Sequence, residues 1–121
     1  MTQDVKIVRG TVSRVRITDI TVDGVTPDLT GWNVFAQVRE SPSSSAPILL
    51  DFAADFPTRI EIEDPSTTPA VALTFTASMT RDLPPQRVVA SVKIQDPGDP
   101  EIVHQIADFT LSITDSITVI P

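Results

Sequence analysis

The chain has 121 residues, no cysteine, and sixteen acidic against nine basic side chains, for a formal net charge of −7. The length fits one domain (residues 1–121) with a core of its own, and the missing thiols exclude a disulfide framework and any thiolate metal site. So acidic a chain repels nucleic-acid phosphates unless its basic residues segregate, and no apolar run reaches the ~18 residues that cross a bilayer.

From the N-terminus, Met1 to Lys6 lacks the charged-then-apolar pattern of a secretory signal, so synthesis in a cytoplasm is expected. Val5 to Val8 starts the ordered part and Gly10 interrupts it. Thr11 to Val22 is rich in β-branched residues; Val15 and Ile17 share one parity, Ile20 and Val22 the other. That change predicts a β-bulge or a switch between sheets near Thr18-Asp19. Asp23-Gly24 is a strong turn signal. Asp28-Leu29-Thr30-Gly31 then turns the chain into a strand in which Trp32, Val34, Ala36 and Val38 alternate with Asn33, Phe35, Gln37 and Arg39. Trp32 is the one tryptophan, and its strand parity places it in the core.

Glu40 to Pro47 reads as a loop, Ile48 to Phe52 as a short strand, and Ala53 to Pro57 as a connection. Thr58 to Glu63 alternates, with Ile60 and Ile62 inward and Glu61 and Glu63 outward. Val71, Leu73 and Phe75 mark the next strand. Ala77 to Leu83 is the single stretch with helical spacing, stopped by Pro84-Pro85. Gln86 to Gln95 and Ile102 to Ile113 are strands joined across Asp96-Pro97-Gly98-Asp99-Pro100. About seven strands with turns every 8–12 residues predict an all-β fold, a β-sandwich in preference to a small barrel.

Little in this pattern points to catalysis. His104 is the sole histidine, with no nucleophile elbow and no third group to orient it, and it reads as structural. The carboxylate pairs Asp51/Asp55 and Glu61/Glu63 lack the aromatic cleft of a glycosidase. Asp19, Asp23 and Asp28, with Asp96, Asp99 and Glu101, form two acidic loops that leave calcium open as a partner, although turn formation explains these residues without a metal. Arg9, Arg14 and Arg16 form a basic cluster without aromatic neighbours, which reads as a solvated or interface face. No cofactor or metal site is expected. A different signal is apolar residues of the wrong parity: Phe35, Val89, Val103 and Ala107, joined by the terminal Ile117, Val119 and Ile120. Together they mark an interaction surface.

The opening Arg9-Gly10-Thr11, the turn Asp28-Leu29-Thr30-Gly31-Trp32, the late Thr80-Arg81-Asp82-Leu83 and the closing Phe109-Thr110-Leu111-Ser112-Ile113-Thr114 resemble the immunoglobulin-like domains of tailed-phage particles, in particular the N-terminal domain family of baseplate upper proteins. The resemblance covers nearly the whole chain. It implies an immunoglobulin-like β-sandwich without catalytic residues, located in the virion, that binds other copies of itself and neighbouring virion proteins of the tail, baseplate or tail fibre. The chain departs from that family by stopping just after the domain, without the extension that links to receptor-binding proteins. Alternative expectations are a capsid decoration or head-fibre protein, and a module that binds carbohydrate or a host surface.

Overall fold

A strand with one apolar and one polar face can be buried on one side only, so several such strands in one chain must form sheets that face each other. The computed structural model describes residues 3–43, 45–52 and 59–115, and among these it shows eight strands and one short helix. They are β1 (Gln3–Val8), β2 (Ser13–Ile17), β3 (Asn33–Arg39), β4 (Ile48–Asp51), β5 (Ile60–Glu63), β6 (Ala70–Phe75), α1 (Ala77–Arg81), β7 (Arg87–Gln95) and β8 (Val103–Thr114). A five-stranded sheet runs β1-β8-β7-β3-β4 and a three-stranded sheet runs β2-β6-β5. Every pairing is antiparallel except that of β1 with β8. The β1–β2, β2–β3, β4–β5 and β6–β7 connections cross between the sheets. This strand order is that of an immunoglobulin-like sandwich: β8-β7-β3-β4 correspond to its GFCC′ strands, β2-β6-β5 to its B, E and D strands, and β1 lies beside the G strand. The expected fold class is therefore the observed one.

Antibody domains join their sheets by a disulfide. Here, without cysteine, apolar packing alone spans the gap. Val34, Ala36 and Val38 of β3, Val88, Ala90, Val92 and Ile94 of β7, and Phe109, Leu111 and Ile113 of β8 meet Ile60 of β5 and Val71, Leu73 and Phe75 of β6. Phe52 and Phe75 are both fully buried and pack edge to face, with ring centroids 5.3 Å apart and planes at 81°.

Three expectations need correction. Trp32 is half-buried at the rim rather than central, because the β3–β7 ladder begins only at Asn33 opposite Gln95. The indole instead stacks on the His104 ring, 6.3 Å away at 28°. Leu29 is the turn residue that enters the core, at 0% exposure, held by a hydrogen bond from its N–H to the Pro65 carbonyl. Gly31, at φ +79°, supplies the left-handed residue that lets the Trp32 N–H reach the Leu29 carbonyl. Second, of the two readings of the run from Thr11 to Val22, the bulge is not found and the switch between sheets is. β2 belongs to the three-stranded sheet and the next strand, β3, to the five-stranded one. The strand ends at Ile17, Asp19 adopts φ +56°, and Asp23-Gly24 (φ +53° and +79°) closes a two-residue turn between Val22 and Val25. Third, bulges lie elsewhere, one in β4 at Leu49 and one in β8. Val92 pairs with Ala107 and Lys93 with Gln105, leaving Ile106 as the extra residue. That one-residue slip turns Ala107 toward the core side and keeps Val103 outside.

Two of the short motifs, some seventy residues apart, meet at one end of the sandwich. Thr76 caps α1 by accepting from the Met79 N–H, which sets Thr80 against the β1–β2 connection. The Thr80 hydroxyl, at 0% exposure, donates to the Thr11 carbonyl at 2.7 Å and accepts the Gly10 N–H at 3.0 Å. Arg9 donates to the Arg81 carbonyl and pairs with Asp115 at the end of β8, while its Nε is buried without a hydrogen-bond partner.

Candidate interaction surfaces

The two outward faces of the sandwich differ in chemistry. On the three-stranded sheet the central strand presents Ala70 and Ala72, side chains too short to reach solvent or to obstruct their neighbours. Arg14 and Arg16 on β2 can therefore reach two strand spacings across to β5. Arg14 Nη2 bonds Glu61 Oε1 at 3.0 Å and Glu63 Oε2 at 2.7 Å, and Arg16 Nε bonds the other Glu63 oxygen. The four side chains form a canopy that leaves both alanines about 1% exposed. Arg14 and Arg16 are thus neutralised by carboxylates rather than displayed as a basic patch, and Glu61 and Glu63 are ion-pair partners rather than a catalytic pair.

The hydrogen bond from Arg16, with the positive charges of Arg16 and Arg14 adding to it, holds the Glu63 carboxyl below its ordinary range against a smaller opposing effect of burial. A carboxyl depressed in the folded state stabilises the fold fully above its unfolded value, about 4.3, and the contribution is lost as pH falls through the folded value. Glu63→Gln should therefore flatten the decline of stability on acidification below about pH 4.3, read from urea midpoints measured across pH. A slope identical to that of the parent protein would show that the canopy adds nothing, as many exposed pairs do.

The outer face of the five-stranded sheet has no such cover. β3, β7 and β8 run side by side there, and their outward residues form rows: Phe35, Lys93 and Gln105 in one, and Asn33, Gln95 and Val103 in the next. Phe35 is 39% exposed and Val103 45%, and the β3–β4 loop at Ser41, Pro42 and Ser43 walls one side of the shallow concavity that they line. Val89, half-buried between the outward Arg39 and Thr110, lines the same hollow. Three predicted surface residues, Phe35, Val89 and Val103, are thus brought together on one face. Ile117, Val119 and Ile120 lie outside the described residues. Sequence reasoning missed Lys93 and Asp108, which line this concavity and have no ion-pair partner among the described residues. Their outward parity was legible, but the bulge that brings Val103 and Gln105 onto the same face as Asp108 was not.

The acidic loops are occupied with their own backbone. Asp28 Oδ1 accepts from both the N–H and the hydroxyl of Thr30, and these bonds, the hydroxyl's first, lower its pKa. Asp96 accepts from the Gly98 N–H and Asp99 from the Glu101 N–H. Among the described residues no three His, Asp or Glu side chains gather where a metal ion could be held. Among the described residues no helix is long and apolar enough to cross a membrane. A second concavity, between the β2–β3 connection and the β5–β6 turn, is lined by Thr18, Thr21, Thr26, Thr67 and Thr68 with Asp19 and Arg16.

No family model matches the chain. A stretch of 86 residues, 71% of the chain, is 30% identical to the large ribosomal subunit protein uL10 of Carboxydothermus hydrogenoformans. The match takes in 48% of that protein, so the chain spans about half the length of the curated relative it matches. Among solved structures, the ZIG-8 IG1 homodimer aligns over 95% of this chain and 81% of its own, with a TM-score of 0.42 and 12% identity. The immunoglobulin-like assignment rests on the strand order and register described above, not on this likeness.

Proposed function

We propose that the protein is a non-enzymatic structural module of a tailed-phage particle that works by protein–protein contact, with a second copy of itself docked on the outer face of the five-stranded sheet. The observation that carries the docking surface is the contrast between the two faces: one is closed by its own ion pairs, while the other leaves Phe35 and Val103 exposed. Opposite charges without an ion-pair partner among the described residues, Lys93 and Asp108, share that face. A two-fold contact places each residue type against the same patch on the partner, so a face carrying both signs can complement itself. Phe35 supplies the aromatic anchor and the charges supply the rim. The phage setting is supported by the motif resemblance noted in the sequence.

Replacing Phe35 and Val103 by serine should weaken self-association at least about tenfold, as loss of a central anchor does, with little change in unfolding midpoint. Light scattering across a concentration series reads the first and urea denaturation the second. Unchanged mass at every concentration removes this face from the interface. Antibody labelling of purified particles tests the setting; absence of the protein from them removes it, and signal confined to the capsid would move the module to a decoration role.

A further inference from the structure

We propose that copies of this chain also join head to tail through the two edges of the three-stranded sheet, the β2 edge of one copy lying beside the β5 edge of the next. The contact rests on the self-association proposed above and extends it, using a different sheet from the one that carries Phe35 and Val103. Sheet edges present unpaired N–H and C=O groups. Among the described residues no backbone pairs with the outer edge of β2 or of β5. Both edges leave core-facing side chains partly uncovered. Val15 and Ile17 on β2 and Ile62 on β5 are half-buried, whereas Leu73 and Val71, their register partners on β6, are fully buried.

Charge decides which edge can meet which. The outward residues of β2 include Arg14 and Arg16, and those of β5 are Glu61 and Glu63. A β2–β2 contact sets arginine beside arginine and a β5–β5 contact sets glutamate beside glutamate, both unfavourable between neighbouring strands. The mixed contact brings opposite signs together. Strand direction agrees with it: β2 and β5 are both antiparallel to β6, so they run the same way, and a second copy continues the sheet as a parallel pair.

The arginines have capacity for both neighbours. Among the described residues Arg14 reaches Glu61 and Glu63 of its own chain through Nη2 alone, and Arg16 reaches Glu63 through Nε alone. A guanidinium offers several more N–H donors than these. Within the chain the pairs span two strand spacings, roughly 10 Å, whereas between copies they span one, about 4.8 Å. Arg59, just before β5 and of the same parity as Glu61, selects the register. Level strands would set Arg14 beside Arg59, since both lie opposite Thr74. A stagger of two residues instead sets Arg14 beside Glu61, Arg16 beside Glu63 and Val15 beside Ile62. A contact between two different edges does not close by a two-fold, so it continues into a ring or a row of copies.

The test starts from a parent, the full chain carrying Phe35→Ser and Val103→Ser, in which the outer face no longer contributes. Light scattering over a concentration series reads mass, and circular dichroism checks folding. The parent should exceed the mass of a dimer at high concentration and lose mass as salt rises. Arg14→Glu with Arg16→Glu should weaken association at least about tenfold, and so should Glu61→Arg with Glu63→Arg. An equimolar mixture of those two chains should recover it, because each β2 edge then meets an opposite β5 edge. A chain with all four reversals keeps its internal ion pairs, and so reads the contact even where a double reversal unfolds the domain. It should associate with itself and not with the parent, as energy transfer between labelled copies would report. A parent that is monomeric throughout, double reversals with unchanged mass, or free co-assembly of the fourfold chain with the parent overturns the edge contact. The effect of Phe35→Ser and Val103→Ser on the unmodified chain reports on the outer face alone, so either contact can fail while the other stands.

Discussion

Phe75→Ala should destabilise the fold by about 3–5 kcal/mol, the usual cost of truncating a buried phenylalanine, and lower the melting temperature of a chain of this size by roughly 12–20 °C. Phe75 is the last residue of β6, the only strand in the three-stranded sheet with neighbours on both sides, and its ring is wholly buried. Its edge-to-face partner Phe52 lies just after β4, and the Phe52 N–H is bonded to the Ala36 carbonyl of β3. The pair therefore links the two sheets between β6 and the end of β4, not between β2 and β7, the counterparts of the strands that the disulfide joins in antibody domains. Removing one ring leaves a cavity bordered by the other, which is fixed by its backbone and cannot collapse to fill it. Phe75→Leu keeps most of the volume and should lose less than half as much. A urea or thermal series in which alanine and leucine behaved alike would show that the site closes over the cavity, contrary to this reading.

The second large effect is expected from Thr80→Val, which keeps the side-chain shape and deletes one hydroxyl. That hydroxyl satisfies the Thr11 carbonyl and the Gly10 N–H together and also bonds the Ala77 carbonyl at 3.2 Å. Valine leaves those groups without their partner in a part-buried place, at a cost of about 2 kcal/mol. Thr80→Ser restores the hydroxyl and should recover most of the loss, apart from the missing methyl group. Chemical denaturation of the three forms distinguishes the cases. Equal destabilisation by serine and valine would locate the effect in packing and not in the hydrogen bonds.

How far the sequence foretold this molecule depends on the range of the interactions involved. Period-two alternation located β3, β5, β6 and β7, and helical spacing from Ala77 with the stop at Pro84-Pro85 located α1, because each signal is read within a few residues. The same local logic misplaced Trp32: its parity is right, but the ladder that would have carried it inward starts one residue later. Parity also failed at Ala107, since the bulge at Ile106 is a property of how β8 registers against β7 and leaves no mark in β8 itself. Of the candidate surface, Phe35, Val89 and Val103 were visible singly as apolar residues of the wrong parity. Their assembly on one face depended on which strands are neighbours. The arginine–glutamate canopy was the hardest feature to foresee, because it depends on two alanines lying between strands that are distant in sequence.

The parallel pairing of β1 with β8 also constrains the order of events during synthesis. Gln3–Val8 leaves the ribosome long before its partner, Val103–Thr114, so the five-stranded sheet cannot be completed until β8 has emerged. Until then the apolar side of β1, with Ile7 at its centre, has no place to go, and a nascent chain stalled before residue 103 would be the form most in need of a chaperone.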